Sequence, residues 1–249
     1  MLNILATIYL NFTFYLLFII FSLIIIPLFT LFVVLVSLVS SRRKTMRRLR
    51  RAISWYGMIV IRILPFPLIR VQYRDFEKDK SKGPYIFVCN HRSASDAFFV
   101  SCLPYECIAV VNIWPFRIPV LGIIARLAGF LSVREMPFKE FLDQAVLLLK
   151  QGSSIIVFPE GVRSGSREMG QFHSAIFRVA LESHCPIAPL CITGNENIPA
   201  RGSFILRPGM IKIHKLTALQ RQDYKNLTAF ALKNRIRDII VGELKLMEQ

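Results

Sequence analysis

The chain has 249 residues, 53% of them hydrophobic, a mean hydropathy of +0.46 and a formal net charge of +16. That is one domain, or one domain with a small appendage, too apolar to be disordered and more apolar than soluble domains usually are. The positive charge calls for anionic partners: lipid headgroups, phosphorylated substrates or nucleic acid.

Residues 1–40 contain no Lys, Arg, Asp or Glu, and 4–40 is almost wholly apolar, interrupted by Asn11, Thr13 and Pro27. A bilayer core needs about 20 apolar residues per helical span, so this run is long for one upright span and short for two. It reads as a single tilted span or as a hairpin bent near Pro27. A signal peptide fits poorly, because the start is uncharged and the apolar run too long. Residues 41–51 then carry seven cations and no acid, and the stretch to Arg74 carries ten. Residues 75–249 hold 22 basic groups against 16 acidic ones. The excess charge is therefore a juxtamembrane feature, which attracts anionic lipid and keeps the following domain on the cytoplasmic side. This topological role accounts for the block, and no nucleic-acid partner is expected. Residues 52–69, with Trp55 and Tyr56, read as an interfacial helix. Residues 1–67 are thus expected to form a membrane anchor and 68–249 the globular domain.

Runs of Val, Ile and Phe at 68–73, 85–89, 107–112, 154–158, 187–192 and 210–214 predict strands. Helical patterns fall near 95–103, 117–128, 138–151, 172–183 and 224–247. The alternation predicts an α/β domain with a largely parallel or mixed sheet flanked by helices. Cys89, Cys102, Cys107, Cys185 and Cys191 form no CxxC pair, so they read as small core hydrophobes, and no metal site is expected.

Two turns carry candidate chemistry. In 89–96, Cys-Asn-His-Arg-Ser-Ala-Ser-Asp follows a strand and opens a helix. His91 and Asp96 are spaced so that the carboxylate reaches the imidazole across the turn and fixes its tautomer, leaving the other nitrogen as a base. The plainer alternative makes Asp96 a helix-terminal carboxylate and His91 a turn residue. In 157–167, Val-Phe-Pro-Glu-Gly-Val-Arg-Ser-Gly-Ser-Arg again leaves a strand. Parallel strands would bring Glu160 and Arg163 to the same sheet edge as His91, and Arg163 suits a phosphate. The plainer alternative is a solvated surface turn. No Gly-x-Ser-x-Gly elbow is present, so a serine hydrolase is not supported.

Together, Asn-His-x4-Asp and Phe-Pro-Glu-Gly-x-Arg-Ser resemble the first and third sequence blocks of the glycerophospholipid acyltransferases, which include the 1-acylglycerol-3-phosphate acyltransferases. The second block is matched at 118–134 and the fourth, Cys-Pro-Ile-Ala-Pro-Leu-Cys-Ile-Thr-Gly, at 185–194. The resemblance spans about 84–214, with all four blocks in order.

It implies a membrane-bound enzyme that moves a fatty acyl group from an acyl thioester to the free hydroxyl of 1-acylglycerol 3-phosphate, giving phosphatidic acid. It implies His91 as general base and Asp96 as its orienting carboxylate. Asn90, Arg134, Glu160, Gly161, Arg163 and Ser164 would bind substrate, with Arg163 on the phosphate. Pro186 and Pro189 would shape the acyl-donor side. No cofactor or metal is implied, since acyl-CoA or acyl carrier protein is a substrate. The implied partners are membrane lipids, a lysophospholipid acceptor and the acyl donor. The basic block puts the domain on the cytoplasmic face, and the composition suits a bacterial inner membrane, with a eukaryotic endomembrane as the alternative.

The chain departs from the family pattern at several positions. Val162 stands where many members carry Thr, Val133 where Asp is usual, and Asn112 where a Lys is common, with Arg117 nearby. Phe172-His173-Ser174-Ala175 replaces a Phe-Lys-x-Gly element, which makes His173 a candidate phosphate donor. Alternative readings are the same chemistry on another lysophospholipid or a lyso-aminolipid, or a non-catalytic module that binds anionic lipid.

Overall fold

The computed structural model describes residues 2–77, 83–117, 119–164, 168–200 and 202–249, except the side chains of 2, 3, 114, 115 and 119–121. The N-terminus is one helix, α1 (Leu2–Val39), unbroken through Pro27. A bend near Pro27 is therefore corrected. Proline removes one backbone hydrogen bond, which apolar helices tolerate. The chain instead reverses at Ser40–Ser41, where the charge begins, and returns as α2 (Arg42–Met58), which continues in a π-helical turn, Ile59–Ile63. The Ser22 and Tyr56 hydroxyls lie 2.8 Å apart, and Phe21 stacks on Tyr56.

The basic block and the expected interfacial helix are thus largely one helix. Not all of its cations are free for lipid. Arg50 is buried, bonded to the Ala128 carbonyl at 2.9 Å and to Glu106, which Arg47 also reaches at 2.7 Å. These bonds tie α2 to the globular domain. Gly57 lets α2 pass close to the chain after β2, since a Cβ there would strike the Ser101 hydroxyl.

All six expected strands form: β1 (Ile69–Asp75), β2 (Ile86–Cys89), β3 (Cys107–Val110), β4 (Ser154–Val157), β5 (Ile187–Thr193) and β6 (Gly209–Lys215). They make one sheet in the order β1-β6-β5-β2-β4-β3. Every pair is parallel except β5–β6. The sheet is therefore mixed, within the predicted class. Between strands lie α3 (Asp96–Phe99, extended by a 3-10 turn Val100–Cys102), α4 (Trp114–Arg117), α5 (Pro119–Ala128), α6 (Phe138–Lys150) and α7 (Ala175–Ser183). A short α8 (Arg221–Tyr224) and the long α9 (Ala229–Met247) close the chain.

Strand side chains alternate between two faces. Ile86, Val88, Ile155, Val157 and Ile187 point to one core, built with Phe141 of α6, Phe177 of α7 and Leu232, Ile236 and Ile240 of α9. Phe87, Cys89, Ile156, Ala188 and Leu190 point to the other, built with Leu10 of α1, Val60, Ile61 and Phe99. The hairpin thus contributes to the core on one face of the sheet, beside Phe99, Leu103, Ile198 and Leu206. Cys89, Cys185 and Cys191 are buried as small core residues; Cys102 and Cys107 are half-buried, and all five are free thiols.

The topology fixes where chemistry can sit. β2, β3, β4 and β5 run the same way, so their carboxyl ends share one edge. β1 and β6 run the other way and begin at that edge.

Candidate active site

β2 ends at Cys89, and the next residues turn into α3 at the sheet's carboxyl edge. Asn90 opens this turn. It is buried, and its amide is used entirely as a tie between strands. Nδ2 donates to the Ile192 carbonyl at 2.9 Å, and Oδ1 accepts from Ile192 N–H at 2.8 Å. It does not reach the cavity described below, so its place is that of a strap beneath the turn rather than a substrate contact.

His91 follows, half-buried, its ring 4.6 Å from that of Phe158. Its Nδ1 lies 2.7 Å from Asp96 Oδ2. Asp96 is fully buried. The same Oδ2 accepts the N–H groups of Arg92 at 2.7 Å and Ser93 at 2.9 Å. These donors cannot leave or titrate, so the carboxylate is locked in one rotamer. With Nδ1–H given to Asp96, the lone pair of the ring sits on Nε2.

The other Asp96 oxygen is held by Asn195, whose Nδ2 donates to Oδ1. Asn195 is buried and lies just past β5, 99 residues away in sequence. Sequence reasoning missed it. An isolated Asn beyond the fourth block carries no spacing signal, and only the β2–β5 pairing brings it to the turn.

The second motif leaves β4, the parallel neighbour of β2, and therefore arrives at the same edge. It grips the backbone of His91 on both sides. Glu160 Oε1 accepts His91 N–H at 2.7 Å, and Ser164 N–H donates to the His91 carbonyl at 2.9 Å. Glu160 Oε2 accepts Gly170 N–H at 2.7 Å. Burial pushes the Glu160 carboxyl up from its ordinary value, and the two backbone bonds pull it partly back. Glu160 and Ser164 thus organise the chain behind the site and do not line the cavity. Gly161 does, with φ +72°. A Cβ there would come within 3.2 Å of the His173 ring. Asn112 Nδ2 donates to the Gly161 carbonyl at 3.3 Å.

A cavity of about 1790 Å³ opens at His91. Its lining joins His91, Arg134, Arg163 and His173 to Phe18, Ile25, Phe29 and Val33 of α1, Trp55 of α2 and Ile123 of α5. The volume exceeds the roughly 300–1,000 Å³ of ordinary small-molecule sites. His91, Arg134, Arg163 and His173 share it with a long apolar wall. Among the described residues, no group of His, Cys, Asp and Glu could hold a metal ion.

An imidazole fixed by a buried carboxylate, lining a largely apolar cavity that arginines also line, is an arrangement able to act as a general base. Residues 70–193 match the family model described as Acyltransferase, and the chain belongs to that family. A 1-acyl-sn-glycerol-3-phosphate acyltransferase of Limnanthes alba is 28% identical over 218 residues, covering 78% of this chain and 77% of that protein. The chloroplastic 1-acyl-sn-glycerol-3-phosphate acyltransferase BAT2 of Brassica napus is 30% identical, over 60% of this chain and 46% of its own. The crystal structure of the 1-acyl-sn-glycerophosphate (LPA) acyltransferase PlsC from Thermotoga maritima superposes with a TM-score of 0.78 at 19% identity, covering 99% of this chain and 98% of that one. That likeness establishes the fold, including the N-terminal helices.

Proposed function

We propose that the chain acylates the free hydroxyl of 1-acylglycerol 3-phosphate from an acyl thioester, releasing phosphatidic acid and a free thiol. The His91–Asp96 pair beside the large apolar cavity is the observation that carries the reading, and the names of the relatives agree with it. His91 Nε2 takes the proton of the acceptor hydroxyl as its oxygen attacks the thioester carbonyl. The tetrahedral intermediate collapses with loss of the thiolate, and His91 returns the proton to sulfur. No acyl-enzyme forms. Asp96 stabilises the imidazolium that exists only along the reaction path, a contribution of roughly 10²–10⁴ for the base as a whole.

Arg134 and Arg163 hold the phosphate, with His173 beside them in the cavity. Glu160 and Asn90 position the turn that carries His91. The acyl chains lie along α1 and α2. The donor is acyl-CoA or acyl carrier protein, consumed as substrate, and no cofactor is used.

Residues 1–67 act as the anchor and 68–249 as the catalytic unit, at the cytoplasmic face of the membrane. Asn11 bonds the Leu206 backbone and Tyr15 the Phe204 carbonyl, so α1 lies along the domain rather than away from it. This favours an anchor that rests with the domain on one face of the bilayer. The experiment is product analysis with detergent-solubilised protein, an acyl thioester and a panel of lyso-lipids. Phosphatidic acid formed in preference to other diacyl lipids supports the reading; preferential acylation of a different acceptor overturns it.

A further inference from the structure

The excursion between β5 and β6 connects two things that the proposed function keeps separate. Its first part, just past β5, holds the catalytic turn. Asn195 bonds Asp96, the Ser93 hydroxyl donates to the Ile198 and Pro199 carbonyls at 3.1 and 3.0 Å, and the Ser95 hydroxyl donates to Ile198 at 2.7 Å. Its second part holds α1. Asn11 makes a two-way bond with Leu206, 2.8 Å in each direction, and the Tyr15 hydroxyl donates to the Phe204 carbonyl.

Between these ties the chain presents two large apolar side chains outward. Phe204 is 83% exposed and Ile205 57%, while Leu206 beside them is buried. The exposure is thus built on a pinned backbone. The position is also specific. β6 begins at the sheet edge where β2 ends, so the tip stands on the same edge as His91. Phe66 and Met210 are exposed along that edge too, next to the Leu68–Gly209 bond of 2.9 Å that opens the β1–β6 pair. The neighbouring outer face of α1 is apolar, with Ile8, Tyr9 and Phe12 exposed.

We propose that Phe204 and Ile205 form a second lipid-contacting element, inserted into the bilayer beside α1 at the edge of the sheet that carries His91. This rests on the reading of α1 and α2 as a membrane anchor and extends it. Exposed aromatic and aliphatic side chains next to an apolar helix are held in water at a cost that insertion removes. Because the backbone at 204 and 206 is bonded to α1, seating α1 in lipid also seats the tip. The consequence is directional: the active-site edge faces the bilayer, and a membrane-borne acceptor enters without crossing water.

The test uses the full chain in phosphatidylcholine–phosphatidylglycerol vesicles whose acyl chains carry bromine, a short-range quencher of indole. Trp114→Phe leaves Trp55 as reporter of the anchor. Phe204→Trp in a Trp55→Phe/Trp114→Phe background reports the tip. Quenching of both indoles is expected. A quenched Trp55 with an unquenched reporter at 204 overturns the insertion and leaves the anchor standing; two unquenched reporters overturn both.

The double variant Phe204→Asp/Ile205→Asp should acylate vesicle-borne acceptor roughly tenfold more slowly, with an unchanged rate on detergent-dispersed acceptor. An equal loss in both would make the tip part of the folded site. An unchanged vesicle rate, or self-association of the chain through this tip, would also refute insertion.

Discussion

Asn195→Ala tests the geometry around the base. The substitution removes the Asn195 bond to Asp96 Oδ1 and leaves the carboxylate with His91, Arg92 N–H and Ser93 N–H. A hydrogen bond to a charged group contributes about 1.5–3 kcal/mol. Asp96 is fully buried, so bulk water does not take the place of the lost donor. The bond matters most when the imidazolium forms, because the carboxylate must then be fixed against it. If most of the bond's worth is expressed in the transition state, kcat falls by about 10–100-fold. KM for acceptor and donor should change little, since Asn195 touches neither. Asn195→Asp should be worse, placing a second carboxyl against the first. Initial rates of thiol release, with a thermal melt on the same preparations, check this. A lower Tm with unchanged kcat would show that Asn195 serves the fold and not the base, and would refute the reasoning.

Three further expectations concern other residues. Arg163→Ala should raise the acceptor KM by roughly tenfold with a smaller change in the donor KM; steady-state kinetics with each substrate varied decide it, and a change confined to the donor would contradict the phosphate assignment. Glu160 is raised by burial, so the folded state holds its proton more tightly than the unfolded chain does. Stability is therefore lost as pH rises from the ordinary carboxyl value through the raised one. Thermal melts across this window should show the native chain losing ground to Glu160→Gln as pH increases, and a constant difference would contradict the shift. Arg50→Met leaves Glu106 with Arg47 alone. Removing one partner of a buried pair should cost about 3 kcal/mol, or a fall in Tm of roughly 6–12 °C, readable by calorimetry.

Much of this architecture was legible in the sequence. While β1 and β6 alternate apolar with polar residues, β2, β4 and β5 are short, largely apolar runs, as strands buried on both faces must be. Their parallel course was enough to bring the turns after β2 and β4 to one edge, and with them His91, Asp96, Glu160 and Arg163. The division of labour within those turns was not legible. Glu160 and Asn90 look like substrate-facing polar residues in one dimension. In space both are buried and bonded to backbone groups, because a sharp strand-to-helix turn leaves N–H and C=O groups that need partners.

The α1–α2 hairpin was obscured for a different reason. Composition marked the break between oil and charge, but a helix of cations shows its inner face only when one knows that Arg50 points at Glu106. Pro27 is the residue type that marks a bend, whereas the reversal falls at Ser40–Ser41, which carries neither Pro nor Gly.

The measurement that bears most directly on the central claim compares the native chain with His91→Ala. In it, thiol release from an acyl thioester is followed in detergent with and without 1-acylglycerol 3-phosphate. The account predicts release that requires the acceptor in the native chain and is abolished in the variant, at unchanged fold and membrane association. Acceptor-independent release, or a variant that keeps its activity, would contradict it.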